Sequence, residues 1–407
     1  MTEADLLLVA AKELDAADPL AGFRDSFLEA DGVHSYLDGN SLGRPLRATS
    51  DRLQDFVRHQ WGGRLIRGWD EQWLDLPQRI GDALGAAALG AAPGQCTVAD
   101  STTVLLYKLA RAAVAARPGR TEIVLDADNF PTDRYVMEGI ARECGLTLRW
   151  VPTAYDGGVT AEAVAAAVGP QTALAVFSHV AYRSGYLADA QAITAVVQAA
   201  GGLVLWDLCH SAGAVPAQLD GWNVDYAVGC SYKYLNGGPG APAWAYVAAR
   251  HQEEFSQPIQ GWLGSADPFG MAQGYVPAPG IRRLVSGTPP VLGMLPMQDM
   301  IALVAEAGID AIRAKSVALT EYALTAVDKL LAPHGVVVAS PREAERRGSH
   351  VTIDHPAFKA VTAALWEQGI IPDYRNPSGI RLGLSPLSTS FEETYLGIAA
   401  ITAELAR

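Results

Sequence analysis

The sequence predicts an α/β protein, with a large domain built on a mainly parallel sheet and a smaller α+β domain. From Cys96 onward, short apolar runs that suit buried strands alternate with helix-like runs, a pattern typical of a sheet covered by helices on both faces. Beyond Val291 longer helices dominate, and 407 residues are enough for both units. We expect residues 1–50 to join the small domain, residues 51–290 to form the large domain, and residues 291–407 to complete the small one.

Composition and charge narrow the classes of partner. The chain is 49% hydrophobic and 18% charged, an ordinary globular balance, and its net charge of −13 argues against nucleic acid or an anionic membrane as a partner. Acidic residues flank the first short apolar run, where a secretory signal would be basic, so we expect a cytoplasmic protein that acts on small molecules. The four cysteines show neither C-x-x-C spacing nor a disulfide framework, and no metal site is predicted.

The first 85 residues combine helical segments with one glycine-punctuated loop. Residues 1–30 predict a helix and a polar turn, and the loop Tyr36–Gly43, YLDGNSLG, fits a plain structural turn on its residues alone. The segment Leu46–Gly85 has helical periodicity and contains a cluster of tryptophans. Clustered tryptophans usually belong to a core, but Trp61 is also a candidate for an aromatic wall against an aryl substrate.

The next segment contains a candidate anion site. Ser101, Thr102 and Thr103 precede the helical run Val104–Ala116, so their hydroxyls and backbone N–H groups stand at a helix amino terminus. A plain helix cap explains the same residues equally well. The apolar runs Thr121–Asp126 and Ala173–Ser178 follow as predicted strands.

Two polar side chains stand at the ends of two predicted strands in the middle of the chain. The apolar run Leu203–Trp206 leads directly into Asp207, and the short run Tyr226–Gly229 leads into Lys233 and a Gly/Pro turn. Groups at the carboxyl ends of such strands lie where open α/β sheets bind their ligands.

The pair Asp207 and Lys233 has a chemical meaning if the ligand is pyridoxal phosphate. A lysine amine can hold the aldehyde as a Schiff base, and a carboxylate against the pyridine nitrogen keeps that nitrogen protonated, so that the ring can accept electrons. The alternative is a helix-capping aspartate and a surface lysine. The chain has six lysines, and Lys233 alone follows a predicted strand and precedes a glycine-rich turn, which favours the cofactor hypothesis.

The motifs around these residues resemble those of kynureninase, a family of fold-type I pyridoxal phosphate enzymes related to class V aminotransferases and cysteine desulfurases. The similarity rests on WDLCHSAGAVPAQL and DYAVGCSYKYLNGGPG, and it extends in the family's order to YLDGNSLG, FPTD, the Gly261-Trp262 pair, SGTPP and GIRLGLSPL. It implies the aspartate aminotransferase-like fold, pyridoxal 5'-phosphate as cofactor, and a homodimer with shared active sites.

The resemblance assigns a role to each candidate cofactor residue. It implies that Lys233 forms the Schiff base, that Phe130 stacks on the ring, and that Trp262 and Thr288 reach the phosphate of the neighbouring subunit. Leu105 departs from the family, whose members often carry Asn there. The implied cofactor-binding set is Thr102, Thr103, Phe130, Asp133, Ser178, Asp207, His210, Tyr232, Lys233, Trp262 and Thr288.

The substrate end of the predicted site is an arginine near the carboxyl terminus. A substrate carboxylate is usually held by an Arg fork, and Arg381 in GIRL matches the family's carboxylate-binding residue, whereas Arg375 also fits a solvated surface charge. The resemblance places Asn40 and Ser41 near the substrate as well. Ser388 departs from the family, which often has Tyr after Pro-Leu.

The resemblance implies a hydrolase that cleaves the Cβ–Cγ bond of L-kynurenine to give anthranilate and L-alanine. In the family's mechanism Lys233 removes the α-proton, and Tyr232 is a plausible proton carrier. Gly287 and Thr288 stand where relatives that favour 3-hydroxykynurenine carry Ser-Asn, so we expect the hydroxylated compound to be a secondary substrate.

Three alternatives remain open, and a fourth is disfavoured. The same fold also suits three other functions: a hydrolase of 3-hydroxykynurenine or another ring-substituted kynurenine, a class V aminotransferase, and a non-catalytic PLP-binding regulatory protein. The regulatory protein should lack part of the catalytic set, which is present here. A cysteine desulfurase or selenocysteine lyase needs a cysteine well downstream of the lysine, and none follows Cys230.

Overall fold

The computed structural model describes residues 1–407, and its strands form one sheet of seven strands and one of five. The twelve strands, in chain order, are β1 (Ser35–Leu37), β2 (Cys96–Ala99), β3 (Glu122–Asp126), β4 (Thr147–Val151), β5 (Thr172–Ser178), β6 (Leu203–Asp207), β7 (Tyr226–Gly229), β8 (Ala243–Val247), β9 (Val337–Val338), β10 (His350–Asp354), β11 (Ile370–Arg375) and β12 (Gly379–Gly383).

Helices surround both sheets. They are α1 (Glu3–Ala17), α2 (Arg47–Asp55), α3 (Gly62–Arg64), α4 (Leu76–Leu84), α5 (Thr102–Ala115), α6 (Pro131–Cys144), α7 (Ala161–Ala167), α8 (Ala190–Ala199), α9 (Ala249–Gln252), α10 (Val291–Ala307), α11 (Ile309–Ala326), α12 (Phe358–Trp366) and α13 (Phe391–Leu405). No single helix is long and apolar enough to cross a membrane; only Val291–Ala307 and Ile309–His334 together, bent by 86°, match a span in length and composition.

The seven-stranded sheet has the order β2-β8-β7-β6-β5-β3-β4. Strands β7, β6, β5, β3 and β4 run parallel, while β8 is antiparallel to both of its neighbours. All of these parallel strands except the edge strand β4 are largely buried, which explains their almost unbroken apolar sequences. The predicted mainly parallel sheet is therefore confirmed.

Alternate side chains of each central strand enter cores on opposite faces of this sheet. In β6, Val204 and Trp206 pack into one core, whereas Leu203 and Leu205 pack into the other. This alternation follows from the two-residue period of a strand, and two covered faces are what parallel strands require. All five parallel strands consequently have their carboxyl ends along one edge of the sheet.

The five-stranded sheet joins the two ends of the chain. Its order is β1-β11-β12-β10-β9, and β1 pairs in parallel with β11, Tyr36 opposite Ile371. The segment between β1 and α2 then crosses to the large sheet. The loop YLDGNSLG is therefore held at one end by the small sheet and directed towards the large one.

Local structure differs from the sequence prediction mainly in the tryptophan-rich segment. The predicted helical stretch Leu46–Gly85 is divided into α2, α3 and α4 with wider turns of π-helix at Phe56–Trp61 and Trp69–Trp73. Gly62, Gly63 and Gly68 lie among these breaks, and glycine weakens a regular helix.

Candidate active site

The lysine predicted at the centre of the site lies beyond β7 and is buried against a histidine. Lys233 is 8% exposed, and its Nζ lies 3.2 Å from Nε2 of His210, which follows β6. Burial and the positive charge of Lys233 lower the pKa of His210 well below its ordinary value. The imidazole is therefore neutral near pH 7 and can accept a hydrogen bond from the amine.

The turn that carries Lys233 is held by the loop from the small sheet. The amide of Gly43 donates to the carbonyl oxygen of Tyr232 at 2.8 Å, and a Cβ at position 43 would lie 2.4 Å from the Lys233 carbonyl oxygen. Nδ2 of Asn236 donates to the carbonyl oxygen of Arg44 at 2.7 Å. Only glycine permits this close approach, which fixes the backbone of the lysine.

Two buried carboxyl groups, those of Asp133 and Asp207, belong to the same cluster as the lysine. Asp207 ends β6 and accepts a hydrogen bond from the amide of Cys209 at 2.6 Å, and Asp133 lies in the first turn of α6. Burial, then the charge of Asp207, raises the pKa of Asp133 well above its ordinary value. Asp133 therefore holds its proton more tightly than an ordinary carboxyl group, and its Oδ2 has no partner.

An aromatic ring lies close to the lysine amine. The Phe130 ring centroid lies 5.7 Å from Lys233 Nζ, and the Phe130 amide donates to Oδ1 of Asn129 at 2.8 Å. The Ser178 hydroxyl donates to the same Oδ1 at 2.9 Å. Ser178 therefore supports the Phe130 turn through Asn129.

The amino terminus of α5 faces a cavity of about 490 Å3. Ser101 caps this helix by accepting from the Val104 amide at 3.4 Å, and Thr102 and Thr103 form its first turn. The cavity is also lined by Tyr232, whose pKa is raised by burial and then by the charge of Cys230. This end of the site offers hydroxyl and N–H donors to an anion.

These residues fit pyridoxal phosphate. The protonated ring nitrogen of the cofactor is a positively charged hydrogen-bond donor. The unpartnered Oδ2 of Asp133 and the buried carboxylate of Asp207 suit it as acceptors. The buried amine of Lys233 suits the aldehyde, and the helix terminus at Thr102 suits the phosphate. The donor set therefore matches all three polar ends of the cofactor.

The predicted carboxylate-binding arginine belongs to the small sheet and is fully enclosed. Arg381, 1% exposed, lies in β12; its Nη1 donates to the Tyr182 carbonyl oxygen at 2.7 Å and its Nη2 to the Ser41 hydroxyl at 2.9 Å. Asp373, on the neighbouring strand, forms an ion pair with the same guanidinium. Arg375 donates to the Ser41 hydroxyl at 3.3 Å from a side chain that is 38% exposed.

The rest of the loop YLDGNSLG adds two unsatisfied polar groups near this arginine. Asn40 is fully buried, and neither its Oδ1 nor its Nδ2 has a partner. Burial and the neighbouring charge of Asp373 raise the pKa of Asp38 to about 6. Because buried polar atoms normally have hydrogen-bond partners, the Asn40 side chain is available to bind a polar ligand.

Three side chains near the site were not among the sequence candidates: His350, Asp373 and Tyr182. His350 in β10 is fully buried with both ring nitrogens unpartnered, and its ring centroid lies 5.8 Å from that of His210. Tyr182 packs edge-on against Phe130 with ring centroids 5.3 Å apart. No motif spacing indicated them, because pairing of distant strands and loops brings them here.

Three candidates lie apart from the buried cluster. Trp61 is 51% exposed, and Trp262 is 43% exposed and packs on Phe269. Thr288 is exposed on the rim of the cavity at the start of α5. No contact within this chain joins Trp61 to Lys233 or Arg381, so its place in an aryl wall stays a prediction.

Comparison with known sequences connects this geometry to one family. A family model described as "Kynureninase C-terminal domain" matches residues 312–401. The chain is 41% identical over 392 residues to a protein named kynureninase from Burkholderia pseudomallei (strain K96243), which covers 95% of this chain and 92% of that protein. It is also 41% identical over 390 residues to a kynureninase from Pseudomonas fluorescens, covering 94% and 91% of the two chains.

Solved structures share the fold at lower sequence identity. An apo cysteine desulfurase from Thermococcus onnurineus NA1 superposes with a TM-score of 0.80 at 15% identity, covering 91% of this chain and 94% of that one. A mutant of C-DES with glycine covalently linked to its PLP cofactor gives 0.79 at 19% identity, covering 90% and 96%. The predicted fold-type I architecture is therefore confirmed.

Proposed function

The chain belongs to the kynureninase family, and we propose that it hydrolyses the Cβ–Cγ bond of L-kynurenine to anthranilate and L-alanine. It is a pyridoxal-phosphate-dependent enzyme that cleaves kynurenine. The observation that carries the detailed proposal is the placement of one buried amine and one buried guanidinium around His210. Lys233 Nζ lies 3.2 Å from Nε2 of His210, and the charges of Lys233 and Arg381 both lower the pKa of that histidine.

The cofactor would be held by residues of the large sheet and the helices that follow its strands. Lys233 would bind its aldehyde, Asp207 and Asp133 its ring nitrogen, and Phe130 and His210 would flank its ring. The first turn of α5, with Thr102 and Thr103, and the phenol of Tyr232 would bind its phosphate. Pyridoxal phosphate, when bound, supplies an electron-accepting ring that stabilises a carbanion on the attached amino acid.

Lys233 is proposed to carry the proton of the substrate α-carbon. Its amine has a neutral acceptor in His210 at 3.2 Å, so it can take up a proton and share the resulting charge. The 8% exposure of Lys233 limits exchange of that proton with solvent. The same proton can then be returned within the site.

Tyr232 is proposed to supply a proton to the carbon released by bond cleavage. Burial and neighbouring negative charge keep its pKa above the ordinary value of 10, so the phenol stays protonated at neutral pH. It adjoins Lys233 in sequence, and Lys233 Nζ lies 5.9 Å from its ring centroid. A protonated phenol at this position suits a general acid.

The small domain is proposed to recognise the substrate carboxylate through Arg381. The guanidinium is oriented by Asp373, Ser41 and the Tyr182 carbonyl oxygen before any ligand binds. Pairing of β1 with β11 supports a small domain made of residues 1–50 and 291–407 around a large domain of residues 51–290, a division that we propose.

We further propose a homodimer in which Trp262 and Thr288 complete the partner's cofactor site. Two exposed apolar clusters support it: Trp61, Leu65 and Ile66 beside the Thr288 segment, and Trp262 with Phe269. Exposed apolar patches of this kind usually mark interfaces. Light scattering should give twice the chain mass, and fully active monomer would contradict the proposal. The cytoplasmic location stays a prediction.

Product analysis tests the reaction. Kynurenine should give equal amounts of anthranilate and alanine without an added oxo acid. A class V aminotransferase would instead consume an oxo acid and release no anthranilate from this cleavage, and that outcome would refute hydrolysis.

Relative rates test the choice of substrate. Gly287 has no side chain to meet a ring hydroxyl, so kcat/KM should be higher for kynurenine than for 3-hydroxykynurenine. A Cβ at Gly287 would have nothing within 4 Å, so the double variant Gly287→Ser/Thr288→Asn should fold normally and shift the ratio towards 3-hydroxykynurenine. A wild-type ratio of about tenfold or more in favour of the hydroxylated substrate would contradict the proposal.

A further inference from the structure

Two cysteines meet at the centre of the cofactor site. The last registered pair of β6 and β7 is Asp207 opposite Val228, so Cys209 and Cys230 each lie two residues beyond it. The Cys230 amide donates to Cys209 Sγ at 3.1 Å, and Cys230 Sγ donates to the Cys209 carbonyl oxygen at 3.8 Å. Adjacent strands are spaced about 4.8 Å apart, within the range of Cα separations that a disulfide spans.

The environment makes the two thiols chemically unequal. Both are buried, with Cys209 7% and Cys230 3% exposed. Burial alone would raise the pKa of Cys230, but interaction with the Cys209 side chain and the charge of Lys233 bring it below the ordinary value. The hydrogen bond to Cys230, followed by burial, raises the pKa of Cys209. Cys230 is therefore the more readily ionised sulfur, and Cys209 keeps its proton.

We propose that Cys209 and Cys230 form a reversible disulfide when a peroxide enters the site, and that this bond weakens cofactor binding. The Cys230 thiolate attacks one oxygen of hydrogen peroxide, which gives a sulfenic acid and releases hydroxide. The Cys209 sulfur then attacks the Cys230 sulfur and displaces a second hydroxide, which takes up the thiol proton as water. The two thiols lose two electrons, and the peroxide is reduced by two.

The cofactor would sense this bond because Cys209 supports two of its proposed ligands. The Cys209 amide holds Asp207 at 2.6 Å, and its Sγ lies 4.0 Å from Oγ1 of Thr102. Turning the Cys209 sulfur towards Cys230 would remove it from Thr102 and would move the residue whose amide holds Asp207. The ring-nitrogen and phosphate ends of the site are therefore both disturbed.

The other two cysteines provide an internal comparison. Cys96 is buried in the core beside Gly85, and Cys144 is half-buried at the end of α6. Neither has a sulfur contact with another cysteine. In a reducing compartment, a disulfide between close thiols at a functional site is typically transient.

The test uses the wild-type protein, with and without pyridoxal phosphate, treated with hydrogen peroxide and then alkylated. Non-reducing peptide mapping should find Cys209 joined to Cys230, with a mass about 2 Da below the sum of the two thiol peptides, and dithiothreitol should reverse the bond. The dissociation constant of pyridoxal phosphate, measured by absorbance, should rise at least about tenfold on oxidation. Because coupling is reciprocal at equilibrium, bound cofactor should shift the thiol–disulfide equilibrium of the pair towards the two thiols by the same factor.

Variants separate this bond from general oxidation. Cys209→Ser and Cys230→Ser should each abolish the linked peptide, whereas Cys144→Ser should leave it unchanged. Absence of the linked peptide from wild-type protein, or its formation with unchanged cofactor affinity, would overturn the proposal. The mapping involves no kynurenine, so its outcome is independent of the proposed reaction.

Discussion

The substitution Arg381→Lys tests the proposal that Arg381 binds the substrate carboxylate. The guanidinium already contacts the Tyr182 carbonyl oxygen, the Ser41 hydroxyl and Asp373, and a single ammonium cannot keep these contacts and also pair with a substrate carboxylate. Loss of one charge-assisted hydrogen bond costs about 1.5–3 kcal/mol. Since 1.4 kcal/mol is a factor of ten, KM for kynurenine should rise about 10- to 150-fold.

The matched control is Arg375→Lys. Arg375 shares Ser41 and Asp373 as partners, but its side chain is 38% exposed, and exposed ion pairs contribute at most about 1 kcal/mol. Its KM should therefore rise less than about fivefold. The measurement is KM for kynurenine by steady-state kinetics on both variants. The melting temperature of each variant checks that it folds. Unchanged kinetics in Arg381→Lys, or equal losses in the two variants, would refute the assignment of the carboxylate site to Arg381.

Two further predictions concern Lys233 and Asp38. Borohydride reduction followed by mass spectrometry should locate pyridoxal phosphate on Lys233, and Lys233→Ala should lose this label and its activity while keeping its melting temperature; a label on another lysine would contradict the assignment. The pKa of Asp38 is raised from 3.8 to about 6 in the folded protein. Between about pH 4 and 6 the unfolded chain therefore releases a proton that the folded chain retains. The free energy of unfolding should fall as the pH rises across that window. Asp38→Asn should therefore gain up to about 3 kcal/mol in unfolding free energy above pH 6 and much less at pH 4, and a gain independent of pH would exclude Asp38 as the cause.

The central part of the site was predictable because it follows from local patterns. Asp207 ends one buried apolar strand and Lys233 lies four residues beyond the end of another, and parallel strands place their carboxyl ends along one edge. The start of α5 was equally visible from Ser101 and its neighbours. Short-range pattern therefore located the residues that we propose for the Schiff base, the ring nitrogen and the phosphate of the cofactor.

The substrate end depended on pairing between distant segments. Asp373 and Thr352 lie opposite Arg381 in β11 and β10, and Tyr182 reaches it from the loop after β5. Nothing in the spacing of these residues reveals such neighbours, because strand register is set by the whole sheet. His350 was missed for the same reason, and the contact between Asp133 and Asp207 also depends on tertiary packing.

The close packing of Gly43 on the carbonyl oxygen of Lys233 has a consequence for biosynthesis. Gly43 is positioned by β1, and β1 pairs with β11, which begins at Ile370. The ribosome therefore exposes the first strand long before it can exist as part of a sheet. A nascent chain that already contains the whole large sheet still lacks β11, the strand that positions β1 and Gly43, so the lysine turn gains its full support only after β11 has been synthesised.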